Sequence, residues 1–121
     1  MKGISLGAVE GKFAEIIWEN EPISSTALCK LASAELNWHK STTYTVLRNL
    51  CEKGIFKNEN STVSSVLSKE EYYSLRSEAI VKEEFQGSLP AFIAAFVKNN
   101  SLCEEEVKAL RELVKQYEGG E

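Results

Sequence analysis

Apolar residues recur at helical spacing near the start of the chain. One face of a helix over residues 7–20 carries Val9, Phe13, Ile16 and Ile17, which follow one another at intervals of one, three or four residues. Glu21-Pro22 is predicted to end this helix, because the residue before a proline is pushed out of the helical region.

Two further helices are predicted before the pattern changes. Ser24 or Ser25 can cap a second helix, whose apolar positions are Leu28, Leu31 and Ala32. A turn with Trp38 as its apolar anchor leads into a third helix over residues 41–53. Gly54 is the expected left-handed residue after the end of that helix.

Beyond Gly54 the pattern is typical of strands. Residues 55–57 and 62–67 read as two short strands, joined by a turn over residues 58–61. Three short helices followed by one hairpin is the element order of a winged helix-turn-helix. The predicted fold class is therefore mainly α with a small β-hairpin wing.

From Ser68 onward the pattern is helical to the end of the chain. One helix is predicted up to Gly87, followed by a helix with Pro90 in its first turn. A capping box over residues 101–104 is expected to open a last helix, which Gly119-Gly120 would close.

The C-terminal helices carry more apolar surface than three short helices bury by themselves. We expect two copies of the chain to cover it, which predicts a homodimer. The alternative is that these side chains pack back on the N-terminal part. The predicted division is a winged helix-turn-helix domain over residues 1–69 and a dimerisation domain over residues 70–121. The dimerisation residues are Tyr73, Ile80, Leu89, Phe92, Ile93, Phe96, Val97, Val107, Leu110 and Val114.

Composition narrows the classes of function. The longest stretch without a charged side chain runs over residues 85–97, which is shorter than the roughly 20 apolar residues of a membrane span. No secretory leader is recognised, so a cytoplasmic location is expected. Three scattered cysteines and one histidine lack the spacing of a metal site, and neither a cofactor motif nor a catalytic constellation is visible. We therefore expect no metal, no cofactor and no enzyme activity.

The third helix carries the most informative polar surface. Thr43, Val46, Leu47 and Leu50 cluster on the face that packs inward. The opposite face offers hydroxyl, amide, aromatic and guanidinium groups, which contact phosphates and base edges in the major groove of DNA. The predicted DNA-binding residues of this region are Lys40, Ser41, Thr42, Tyr44, Thr45, Arg48 and Asn49, with Lys57 beyond the helix. Thr42 is placed at the border of the face.

Charge supports a local nucleic-acid site. The whole chain has a net charge of −4, whereas residues 38–57 hold four cations and one Glu, a net charge of +3. The wing weakens this hypothesis, because residues 58–68 contain one Glu and no basic residue. The alternative is a winged-helix protein-interaction module that has lost DNA binding, and an exposed polar helix is also compatible with no binding role.

Several segments resemble the penicillinase-repressor family of the BlaI/MecI/CopY type. They cover essentially the whole chain and are Ala14–Trp18, Asn37–Leu50, Glu52–Ile55, Ser68–Tyr72 and Gly87–Val97, with Leu102, Val107, Leu110 and Leu113. The Trp-x-x-Ser-Thr-Thr-x-Tyr-Thr-Val-Leu stretch that starts at Trp38 is the most specific of them.

The resemblance implies a dimeric winged-helix repressor that binds an inverted repeat in its target promoters. In relatives the third helix enters the major groove, which carries over to Ser41, Thr42, Tyr44, Thr45 and Arg48 or Asn49. The three C-terminal helices of relatives form the dimer.

The resemblance also bears on induction. In the penicillinase branch a membrane sensor leads to proteolysis in the dimerisation region, and the matching bond here is Ala95–Phe96, where those relatives have Asn–Phe. The copper branch carries a cysteine cluster near the C-terminus, whereas this chain has only Cys103 there.

Overall fold

A computed structural model describes residues 5–118, and within them the chain forms six helices and three strands. It groups into two compact units, one ending at Ile80 and the other beginning at Val81. The elements are α1 (Ala8–Asn20), β1 (Ile23–Ser24), α2 (Ser25–Leu36), α3 (Lys40–Glu52), β2 (Phe56–Glu59), β3 (Thr62–Ser65), α4 (Lys69–Glu84), α5 (Leu89–Asn99) and α6 (Glu104–Tyr117). The predicted mainly α winged helix-turn-helix is confirmed.

The core of the first unit lies where α1, α2, α3 and the sheet meet. Its largest fully buried side chains include Phe13, Ile17, Leu28 and Leu50, all at positions where helical spacing predicts an inward face. Val9 differs from the prediction and is 54 % exposed, because it lies in the first turn of α1, outside this core.

Local signals define the boundaries of α2. Ser24 is the N-cap, and its hydroxyl accepts a hydrogen bond from the Ala27 N–H at 3.0 Å. The helix ends at Asn37, which adopts a left-handed conformation with φ 59°. Trp38 then packs against Phe13 with the ring centroids 5.1 Å apart and the rings tilted, so its predicted role as an apolar anchor is confirmed.

The sheet differs from the predicted two-stranded hairpin in having a third strand. Its order is β1-β3-β2, all antiparallel, and Ile23 of β1 lies opposite Val63 of β3. The two-residue β1 carries no periodicity of its own and exists because a partner distant in sequence pairs with it.

The hairpin turn is also tighter than predicted. Asn58 and Glu59 belong to β2, and only Asn60 and Ser61 form the turn, with φ values of 53° and 63°. Positive φ at both central residues is the geometry of a type I′ turn, whose twist matches that of the two strands. The Ser61 carbonyl accepts a hydrogen bond from the Ser25 N–H at 2.8 Å, which ties the turn to the start of α2.

An aromatic cluster fastens the start of α4 to α1. The Trp18 ring lies 5.2 Å from that of Phe56 and 5.6 Å from that of Tyr72. The Trp18 indole N–H also donates to the Leu67 carbonyl at 3.0 Å. The first part of α4 therefore belongs to the same packed unit as the three N-terminal helices.

The second unit contains α5 and α6. Ser88 caps α5 through the Ala91 N–H, and Pro90 lies in the first turn as predicted. The predicted capping box over residues 101–104 is wrong, because the chain stays extended up to Cys103. The box instead uses Glu106, whose carboxylate accepts from the Cys103 N–H at 3.0 Å. The predicted end at Gly119-Gly120 lies outside the described residues.

The helix predicted up to Gly87 ends earlier, at Glu84, and is followed by Gln86 and Gly87 with positive φ. The predicted functional boundary after residue 69 lies at the start of α4 and stays a prediction.

Candidate nucleic-acid interface

The exposed face of α3 is the main surface that the sequence assigns to DNA. Thr43, Leu47 and Leu50 are buried on the opposite face and hold the helix against the core. The residues on the outward face are Lys40, Ser41, Thr42, Thr45, Arg48 and Asn49, all of them exposed. Thr42, predicted at the border of this face, is exposed as well. The major groove of B-DNA is wide enough to admit an α-helix that carries such side chains.

Tyr44 is placed differently from the other predicted contacts. Its ring is half-buried against the core, and its hydroxyl donates a hydrogen bond to the Ser25 Oγ at 3.2 Å. Ser25 is 4 % exposed, so this bond satisfies a buried hydroxyl at the start of α2. Tyr44 thus links α3 to α2.

Removing the Tyr44 hydroxyl is expected to lower stability. A Tyr44→Phe variant leaves the Ser25 hydroxyl without its partner, and we expect the free energy of unfolding to fall by about 0.5–1.5 kcal/mol. Urea denaturation followed by circular dichroism measures this change. Thr45→Val is the control, because it removes a hydroxyl from an exposed residue of the same helix. An unchanged stability for Tyr44→Phe would mean that the hydroxyl has no structural role.

The four cations of residues 38–57 are not equivalent. The Lys53 ammonium donates to the Ser5 carbonyl at 2.8 Å and to the Glu10 carboxylate at 3.2 Å, so it is engaged in holding the N-terminal segment. The Gly7 N–H chiefly lowers the pKa of Glu10, and Lys53 lowers it further against the opposing effect of burial. The Lys53–Glu10 pair therefore adds little net charge to the surface that would bind a ligand.

Lys57 is also paired. Its ammonium lies 3.7 Å from the Glu59 carboxylate on the same strand, and both side chains are exposed. Lys40 and Arg48, in contrast, form no salt bridge within residues 5–118. The positive charge that α3 presents to solvent is therefore that of Lys40 and Arg48.

The predicted dimerisation residues fall in both units. Tyr73 lies in the first unit, 6.3 Å from the Trp18 ring, and Ile80 is half-buried at its end. In the second unit Leu89, Phe96 and Val114 are at least half exposed. The remaining predicted residues are partly buried, namely Phe92, Ile93, Val97, Val107 and Leu110. No residue of α5 or α6 is fully buried in the single chain.

The bond predicted from the resemblance as a cleavage site lies inside α5. Ala95 and Phe96 are both exposed, and both have helical backbone.

Within the described part of the chain, no three His, Cys, Asp or Glu side chains come together in a way that could hold a metal ion. None of the helices between residues 5 and 118 has the length and apolar character needed to cross a membrane.

The sequence matches a known protein family. The family model described as Penicillinase repressor aligns with residues 6–116, which includes α1 to α5 and nearly all of α6. The chain belongs to the penicillinase repressor family. It is also similar to a protein of Bacillus licheniformis named Penicillinase repressor, with 21 % identity over 107 residues, which cover 85 % of this chain and 84 % of that protein. The resemblance drawn from the sequence is thus confirmed.

Membership of the penicillinase repressor family makes this chain a transcriptional regulator. The family match spans both compact units, so the regulator comprises the winged helix-turn-helix together with the α5–α6 region. Sequence reasoning missed two contacts that shape the site of this regulator, the Tyr44–Ser25 bond and the Lys57–Glu59 pair. The Tyr44–Ser25 bond has no spacing signal, because it joins two helices that only the folded core brings together. The Lys57–Glu59 pair was missed because Glu59 was assigned to the turn, whereas it belongs to β2 and lies on the same face as Lys57.

Proposed function

We propose that this regulator is a repressor that binds DNA as a homodimer on an inverted-repeat operator. The observation that carries the proposal is the outward face of α3, where Arg48 has no acidic partner within the described residues and stands beside hydroxyl and amide groups. Arginine that is free of intramolecular pairing can bind the guanine edge with two hydrogen bonds. Ser41, Thr42 and Thr45 are suited to positioning contacts with phosphates and bases.

Unburied apolar surface supports the homodimer. The α5 helix is rich in apolar residues, yet none of them is fully buried in one chain, and Phe96 is 50 % exposed. On α6, Val114 is 63 % and Tyr117 is 76 % exposed. Exposed apolar side chains in such number are typical of interaction surfaces, and a second copy supplies an equally apolar partner. We assign residues 70–121 to dimerisation and residues 1–69 to DNA binding.

A dimer of this kind places two α3 helices in successive major grooves. A two-fold axis relates them, so the operator is expected to be palindromic, with half-sites about 34 Å or a multiple of it apart. Because the proposed repressor acts on chromosomal DNA, we place it in the cytoplasm.

Regulation through a membrane sensor protease fits the position of the Ala95–Phe96 bond. Cleavage there would cut α5 within the proposed dimerisation region and separate its exposed aromatic residue, Phe96, from the N-terminal part of the helix. The Bacillus licheniformis relative is named for penicillinase, so we propose a β-lactamase-type or stress-response gene as the target.

A second candidate, a winged-helix protein-interaction module, is favoured by the wing. Residues 56–65 hold one cation, Lys57, and that cation is paired with Glu59. Such a module would show neither sequence preference nor steep salt dependence with DNA.

Fluorescence anisotropy separates the two candidates. The probe is the duplex upstream of the protein's own gene, titrated at two salt concentrations with an unrelated duplex as competitor. A repressor is expected to bind tightly, to resist the competitor and to weaken steeply as salt rises. A folded dimer that binds neither this duplex nor any fragment in a genomic selection would contradict the proposal and favour the interaction module.

A further inference from the structure

The β2–β3 hairpin, defined here as the wing, carries one cation and one carboxylate on its outward face. Phe56 and Val63 point into the core, so Lys57 and Glu59 share the opposite face of β2 by strand alternation. The Lys57 Nζ lies 3.7 Å from the Glu59 Oε1, and both side chains are about half exposed or more. The pair sums to no net charge.

The wing is also short and held in place. Its turn has two residues, and β1 pairs with β3 as far as Ser24 opposite Thr62. The Ser61 carbonyl accepts from the Ser25 N–H at 2.8 Å. No free loop projects beyond the sheet, so the wing has no second cation to offer a phosphate besides Lys57.

We propose that Glu59 restrains DNA binding by holding the Lys57 ammonium and by adding negative charge to the wing. The inference rests on the DNA-binding function proposed above and concerns how strongly that site binds. DNA phosphates and Glu59 compete for the same ammonium, and a lysine that is already neutralised releases no counterion from DNA. Binding to DNA of other sequence then stays weak, and the affinity for the operator depends on the contacts of α3 and on dimerisation.

The pair has a second explanation, which the test must exclude. β2 is an edge strand in the order β1-β3-β2, and charged side chains on an edge strand prevent edge-to-edge association. That role would change aggregation and leave DNA affinity unaltered. An exposed pair contributes little to folding, so variants at both positions are expected to fold.

The test is a Glu59→Gln variant, titrated with a random-sequence duplex of about three helical turns, roughly 30 base pairs. We expect binding to tighten about three- to tenfold at low salt. The slope of log K against log salt should steepen by about 0.9, the value for one additional neutralised phosphate. Glu70→Gln, which removes the same charge at the start of α4, should change neither quantity.

A variant of Lys57 shows what causes the change in DNA binding. In a Lys57→Gln background, Glu59→Gln should no longer steepen the slope, because the cation that it releases is absent. If the slope steepens equally in both backgrounds, Glu59 does not act through Lys57 and the inference is wrong. It is equally wrong if Glu59→Gln changes only the tendency to aggregate.

The two proposals fail differently. When the unaltered protein binds the duplex with salt dependence and Glu59→Gln changes nothing, DNA binding stands and the restraint by Glu59 is rejected. When neither the unaltered protein nor Glu59→Gln binds any duplex at low salt, the DNA-binding function and this inference fall together.

Discussion

The Phe96→Asp variant is expected to be monomeric and to bind its operator about 10²–10⁴-fold more weakly than the unaltered protein. Phe96 is 50 % exposed in the single chain and lies in the apolar row of α5. A carboxylate placed there would be buried without a partner in the dimer, which is costly. Once the dimer is lost, the second α3 no longer benefits from the effective concentration that links the two half-sites.

Sedimentation velocity and operator titration measure the two parts of this prediction. Ala94→Asp is the matched control, because it puts the same charge in the same helix, about 200° around the axis from Phe96. Ala94 is exposed, and its variant should stay dimeric. A Phe96→Asp protein that is monomeric yet binds as tightly would show that dimerisation does not support DNA binding. A Phe96→Asp dimer would place the interface elsewhere.

Replacing Arg48 by alanine is expected to weaken operator binding by about 1–3 kcal/mol, the usual contribution of a bidentate contact with a base. That range corresponds to a loss of about 5- to 150-fold in affinity. Arg48 is exposed on α3 and forms no salt bridge among residues 5–118, so truncating it disturbs no ion pair of the fold.

The pattern of the loss shows which group Arg48 contacts. A base contact predicts that Arg48→Ala weakens binding to the operator much more than binding to an unrelated duplex. A phosphate contact predicts a uniform loss and a salt slope shallower by about 0.9. Arg48→Lys keeps the charge and should restore only the phosphate contribution. Lys30→Ala, on the exposed side of α2, controls for loss of one positive charge. Unchanged affinity for Arg48→Ala would remove it from the site.

The main helices could be predicted because their signals are local. Phe13, Ile16 and Ile17 are buried together in α1, as their spacing requires, and Ser24 caps α2 by accepting from the N–H of the residue three positions on. The start of α6 was misplaced because Ser101 and Glu104 have capping-box spacing as well. The choice between the two boxes depends on where the extended segment after α5 ends.

The candidate site was predicted in outline for the same reason. Helical phase alone separates Arg48 and Asn49 from Leu47 and Leu50, and the structure places them on opposite faces. Tyr44 was grouped with the outward residues because it lies at the edge of that face by angle. Its half-buried position depends on α2, which brings Ser25 within hydrogen-bonding distance.

The sequence by itself determined the order of the helices, the polar face of α3, the apolar faces of α5 and α6, and the family. These follow from periodicity and short motifs, which interactions within a few residues enforce. The tertiary structure alone decided that Ile23 forms a strand against Val63, that Lys53 is engaged by Glu10 and that Tyr44 bonds to Ser25. Each of these contacts joins residues 19 or more positions apart, so it exists only once the core has brought their backbones together.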